Sequence, residues 1–166
     1  RKNGLENCVL VPDSAILMHE FFDMVFLKEK ITSQLNEKIA QIGQGYVFFQ
    51  TNKKYGEKYF DSIIKFLTTI VEQYKFKVIL CPIGKAPNHE DDKILRLISG
   101  QLHIQHYYYE NPNIWEIMYL IANSNLFIGT SLHGIITAMS FLVPYVGLFK
   151  ENKKIDLYLK TWGLPP

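Results

Sequence analysis

Cysteine is scarce: Cys8 and Cys81 are the only two in 166 residues. Both sit inside apolar runs (CVLV and VILC), as buried thiols of a reducing compartment do, which excludes a disulfide framework and argues against a zinc site. Ten glycines and seven prolines are too few for a collagen-like or low-complexity chain. An excess of charge is missing as well. Eighteen basic residues against sixteen acidic ones leave a formal charge of +2, so no field recommends a nucleic-acid partner. The longest apolar stretch, residues 134–149, is broken by Ser140 and Pro144 and falls short of the roughly 20 residues that span a bilayer. The chain opens on Arg1 without the basic, apolar and small-residue order of a signal peptide, and stops abruptly at Trp162-Gly163-Leu164-Pro165-Pro166. Both ends suggest a piece of a longer protein.

What is present is core. With 48% apolar and 20% charged residues the chain is expected to fold as a single soluble, cytosolic α/β domain. Short apolar runs alternate with helical patterns. Residues 8–11 (CVLV) read as a first short strand, closed by Pro12 and Asp13. Residues 28–42 place Ile31, Leu35, Ile39 and Ile42 on one helical face, ended by Gly43 and Gly45. YVFFQ at 46–50 and KVILC at 77–81 read as buried strands, with an amphipathic helix through Ile63, Leu67, Ile70 and Tyr74 between them. Asn88 with Asp91 suggests the start of a helix carrying Ile94, Leu95 and Ile98. Residues 103–109 form a more polar strand, expected at a sheet edge. Asn113 and Glu116 form a capping-box pattern ahead of Ile117 and Ile121. LFIG at 126–129 and YVGLF at 145–149 are the last strands, with a helix over 132–142 between them.

This alternation predicts a Rossmann-like, doubly wound parallel sheet of about five strands. Residues 1–45 read as the end of a preceding domain with a connecting helix, and residues 46–166 as the Rossmann-like domain. In the common doubly wound order the 46–50 and 126–129 strands are neighbours at the switch point. Ligands bind outside the carboxyl ends of such strands, which points to two loops, 51–56 and 130–134.

The second loop carries the most chemistry. Thr130 or Ser131 can cap the helix that follows, and the remaining first-turn amides then form an anion site. Gly134 permits close backbone approach. His133, in that first turn, is placed to reach a bound anion and to move a proton. The same junction also serves as a plain helix cap in many α/β domains.

The stretch TSLHG with its apolar helix, then VPYVGL, a basic segment and WGL resembles the C-terminal domain of the polysaccharide pyruvyl transferase family, and Val11-Pro12-Asp13-Ser14-Ala15 resembles the segment that closes that family's N-terminal domain. The resemblance implies one half of a GT-B-like architecture. The implied activity is transfer of the enolpyruvyl carbons of phosphoenolpyruvate to a sugar of a cell-surface polysaccharide as a ketal, in exopolysaccharide biosynthesis. It implies phosphoenolpyruvate as co-substrate with no other cofactor, no metal, and cytoplasmic localisation. The implied partners are phosphoenolpyruvate and a sugar or lipid-linked oligosaccharide acceptor, with peripheral membrane association left open. His133 matches the family's donor-contacting catalytic histidine. Asn52, Lys53, Thr130, Ser131, Gly134 and Lys154 fall where donor contacts belong. The family often has an arginine where Ser131 stands, and by the resemblance the acceptor's base belongs to the other half of the enzyme. Two other readings stay open: a GT-B glycosyltransferase holding a nucleotide-sugar, and a non-catalytic α/β binding domain.

Other polar clusters read as structural. His89-Glu90-Asp91-Asp92 suits a helix dipole better than a metal. His103 and His106 fall on opposite faces of a strand. Tyr107, Tyr108 and Tyr109 read as packing at a strand end, and Lys53, Lys54 and Lys58 do not make a polybasic patch.

Overall fold

The computed structural model describes residues 9–43, 45–87, 89–148 and 151–163. Five strands form one parallel sheet: β1 (Tyr46–Gln50), β2 (Lys77–Leu80), β3 (His106–Tyr108), β4 (Leu126–Gly129) and β5 (Tyr145–Gly147). Their order is β3-β2-β1-β4-β5, with Phe48 opposite Ile79 on one side and Phe127 on the other. The expected switch point between β1 and β4 is therefore present, and the more polar β3 is an edge strand. The sheet is α/β with helices on both faces.

Every residue of β1 is buried, because both of its faces are covered. Strand periodicity divides the core. Tyr46, Phe48, Ile79 and Phe127 face one layer, where the Phe48 and Phe127 rings stack with centroids 5.5 Å apart. Val47, Phe49, Val78, Leu80 and Ile128 face the other. The second layer is closed by α5 (Phe60–Tyr74), through Ile63, Leu67 and Ile70, and by α6 (Asp91–Gln101), through Ile94, Leu95 and Ile98. The first is closed by α3 (Ser33–Ile42), α7 (Ile114–Ala122), α8 (Leu132–Ser140) and α9 (Lys153–Trp162). The capping box at Asn113 and Glu116 is complete, with both reciprocal hydrogen bonds made.

Several local expectations change. Val9, Leu10 and Val11 are exposed and belong to no strand, so the 8–11 run is not an element of the sheet where it is described. Cys8, Asn88, Phe149 and Leu164 lie outside the described residues. The 28–42 helix is two helices, α2 (Met24–Lys30) and α3, broken at Ile31 and Thr32. Thr32 caps α3 by accepting from the Leu35 amide, and its own N–H and hydroxyl donate to Glu116 at 3.2 and 2.8 Å. A buried acceptor from elsewhere in the chain thus outweighs helical continuity. The 51–56 loop contains a short helix, α4 (Lys53–Lys58).

The helices before β1 lie on the same body. A 3-10 turn (Ser14–Leu17) and α1 (Met18–Phe21) run along α8, where the His19 amide donates to Ser140 Oγ at 3.0 Å. Leu27 of α2 is fully buried, and Phe22 and Phe26 meet Trp115 edge-on at 5.1 and 5.4 Å. Cys81 is buried, and burial pushes its thiol pKa up. No helix among the described residues is long and apolar enough to cross a membrane.

Candidate active site

Where β1 and β4 diverge at their carboxyl ends, a cleft of about 580 Å³ opens across the ends of β2, β1 and β4. Its β4 side is built from the junction leading into α8. Ser131 is the helix cap, its Oγ accepting from the Gly134 amide at 3.2 Å. That leaves the Leu132 and His133 amides, the first two of the helix, without an intrahelical acceptor. All of Ser131, Leu132 and His133 line the cleft. An anion placed there meets open N–H groups and the positive end of the helix.

Thr130 plays a different part from Ser131. It is 5% exposed, and its polar groups are taken up by protein. Its amide and hydroxyl donate to Gln50 Oε1 at 3.0 and 3.3 Å, its Oγ1 accepts from the Asn52 amide at 3.1 Å, and its carbonyl accepts from Asn152 Nδ2 at 3.0 Å. Thr130 is thus the pivot that ties β1, β4 and the start of α9 together.

The His133 side chain is 71% exposed, and its Nε2 lies 3.7 Å from Asp13 Oδ2 of the segment running along α8. Gly134 owes its identity to packing beneath the helix. A Cβ there would stand 2.5 Å from Phe127 Cζ and 2.9 Å from Ile83 Cδ1. With any larger residue, either those side chains or α8 itself must shift.

The cations divide unexpectedly. Lys53 Nζ pairs with Glu90 at 3.2 Å, and Lys93 binds the same carboxylate, so hydrogen bonds from Lys93 and then Lys53 hold the Glu90 pKa below its usual range. Among the described residues, Lys54 and Lys154 are the lysines on the cleft wall. Asn52 lines the cleft and caps α4, accepting from the Tyr55 amide at 3.0 Å. Glu151, just before α9, accepts from Lys58 Nζ at 2.9 Å and Tyr59 Oη at 2.7 Å. Together with the Asn152–Thr130 bond, this fixes the helix end that carries Lys154.

Gln50 and Asp91 are not among the site residues expected from the sequence. Gln50 is 2% exposed and Asp91 wholly buried. Asp91 Oδ2 accepts from Gln50 Nε2 at 2.7 Å, Gly84 N at 2.8 Å and Ile83 N at 3.1 Å. Burial raises the Asp91 pKa despite these donors. A polar residue closing an otherwise apolar strand was a visible signal for Gln50. The sequence pattern marks Asp91 only as part of a helix start, and nothing in it singles out Asn152. Among the described residues, no three His, Cys, Asp or Glu side chains are grouped to hold a metal ion.

The family model described as "Polysaccharide pyruvyl transferase" matches residues 1–148. No curated protein matches the sequence. Among solved structures, the chain is similar to the crystal structure of Methanocaldococcus jannaschii UDP-GlcNAc 2-epimerase in complex with UDP-GlcNAc and UDP. The identity is 14% and the TM-score 0.63, over 97% of this chain and 49% of that one. At that identity the likeness carries the fold alone, one half of a GT-B-like architecture, and the chain spans about half the length of that structure.

Proposed function

Because this chain belongs to the polysaccharide pyruvyl transferase family, we propose that its cleft binds phosphoenolpyruvate and serves transfer of the pyruvyl carbons to a sugar as a ketal. The observation that carries this reading is the Ser131-capped end of α8. Its open amides border the same cleft as His133, Lys54 and Lys154, a space large enough for a phosphorylated anion.

The chemistry places specific demands on such a site. A proton is added to C3 of phosphoenolpyruvate and C2 becomes electrophilic. A sugar hydroxyl adds to C2 and loses its proton. The bond from C2 to the phosphate oxygen then breaks, and a second hydroxyl closes the ketal as inorganic phosphate leaves. The enzyme must hold a dianionic leaving group and position a proton donor. The Leu132 and His133 amides, Lys54 and Lys154 serve the first need. His133 serves as the proton donor or as a further phosphate contact. Ser131 supplies no charge, so the lysines replace what an arginine at that position would give. A reaction that consumes phosphoenolpyruvate belongs in the cytoplasm.

Titration calorimetry of the full chain with phosphoenolpyruvate tests the reading, beside His133→Ala and uridine diphosphate. Saturable phosphoenolpyruvate binding, weakened at least about tenfold by His133→Ala, is the expected result. Binding of the nucleotide but not of phosphoenolpyruvate would replace this reading with a nucleotide-sugar enzyme.

A further inference from the structure

The β2 side of the cleft differs in chemistry from the α8 side. It is bounded by Ile83, Gly84, His89 and Asp91. Three N–H donors converge on Asp91 Oδ2, while Oδ1 of the same buried carboxyl has no hydrogen-bond partner among the described residues. An unpaired buried acceptor is costly and uncommon, and a ligand hydroxyl would satisfy it. The exposed His89 ring packs over Gly84, where a Cβ would stand 3.0 Å from it. A side chain exposed in this way can swing aside at little cost.

Size and charge divide the cleft between two ligands. Its volume of about 580 Å³ lies within the roughly 300–1,000 Å³ that holds drug-sized molecules, well beyond a three-carbon phosphate ester. An ionised carboxylate repels a phosphate or carboxylate placed against it, so with Asp91 ionised the donor belongs at the α8 end. A neutral ligand rich in O–H donors suits the Asp91 end.

We propose that the Ile83–Gly84–His89–Asp91 end of the cleft is a subsite for the sugar acceptor, in which Asp91 Oδ1 accepts a hydrogen bond from a sugar hydroxyl once the His89 ring moves aside. The inference that the ligand is the reaction's acceptor rests on the pyruvyl-transfer reading. The existence of a polyhydroxyl subsite at Asp91 does not. It also places part of acceptor recognition on this half of the enzyme.

Asp91→Asn isolates the proposal. An asparagine keeps one oxygen for the Gln50, Ile83 and Gly84 donors and replaces only the unpartnered Oδ1 with an NH₂ group. Binding of methyl glycosides of common hexoses to the full chain is measured by saturation-transfer NMR, with and without phosphoenolpyruvate. Histidine ring signals are assigned through single His→Gln variants. The wild type should bind at least one glycoside and shift the His89 signals, whereas phosphoenolpyruvate should shift those of His133. Asp91→Asn should weaken the glycoside about tenfold or more and leave phosphoenolpyruvate affinity within about twofold. Equal glycoside binding by the variant overturns the subsite, as does a glycoside that moves only His133 signals or no glycoside binding to the wild type. Loss of phosphoenolpyruvate binding alone, with the His89 shift retained, would count against pyruvyl transfer and not against the subsite. Should Asp91→Asn fail to fold, the His89 and His133 shifts in the wild type still decide the matter.

Discussion

Gln50, the last residue of β1, donates from Nε2 to Asp91 Oδ2 at 2.7 Å, which fixes which way its amide faces. An ionised carboxylate only accepts, so the Gln50 oxygen must turn toward Thr130, where it receives both the amide and the hydroxyl. One buried side chain thereby sets the geometry of the strand end that leads into α8. Gly129 is part of the same fit, because a Cβ there would approach Gln50 Oε1 to 2.9 Å.

Gln50→Leu removes this link while keeping the volume apolar. It leaves the Thr130 amide without its acceptor and takes a donor from Asp91. The expected loss is about 2–3 kcal/mol in urea unfolding, since buried groups left unpaired cost roughly 1–3 kcal/mol each. An unchanged midpoint would show that water replaces the Gln50 amide.

Gly134→Ala tests the packing of α8 on the sheet. A methyl group would stand 2.5 Å from Phe127 Cζ, so either the ring or the helix must move. A destabilisation of about 1–3 kcal/mol is expected, visible as a lower Tm. A Tm at or above that of the wild type would sink the packing explanation.

Ser131 separates capping from ligand binding. Ser131→Ala removes the bond to the Gly134 amide and should cost about 1 kcal/mol. Ser131→Asp keeps a capping oxygen but sets a negative charge beside the anion end of the cleft. It should hold the wild-type stability to within about 0.5 kcal/mol and weaken phosphoenolpyruvate binding about tenfold or more. Tight binding by the aspartate variant would move the phosphate away from α8.

Glu116 gives a pH-dependent prediction. It is 1% exposed and accepts from the Asn113 amide at 2.9 Å, as well as from the Thr32 amide and hydroxyl. Burial pushes its pKa up, but donors from Asn113, Thr32 and Tyr109 outweigh that and leave it below the ordinary value. A carboxyl with a lowered folded-state pKa stabilises the protein above the unfolded value of about 4.3, and that stability is lost as pH falls through the folded value. The advantage of the wild type over Glu116→Gln should be about 1–3 kcal/mol at pH 7 and shrink steadily below about pH 4.3. Urea midpoints measured from pH 7 to pH 3 check this. An advantage that stays constant across that range would mean that the carboxylate form is not what ties Thr32 to α7.

The sequence by itself determined the alternation of strands and helices, the switch-point strands and the stretch around His133. Those features are local: strands buried on both faces read as continuous apolar runs, helices repeat at three and four residues, and a hydroxyl after a strand marks a cap. Tertiary structure alone decided the rest. Gln50 and Asp91 are 41 residues apart, and they meet because β1 lies between β2 and β4. The break at Thr32 depends on Glu116, 84 residues away, whose carboxylate offers the Thr32 backbone a better partner than another helical turn. Lys54 lines the cleft, whereas Lys53 pairs with Glu90 at the start of α6, 37 residues along the chain. A hydrogen-bond partner far along the chain leaves no periodicity and no spacing behind, so only the folded arrangement reveals it.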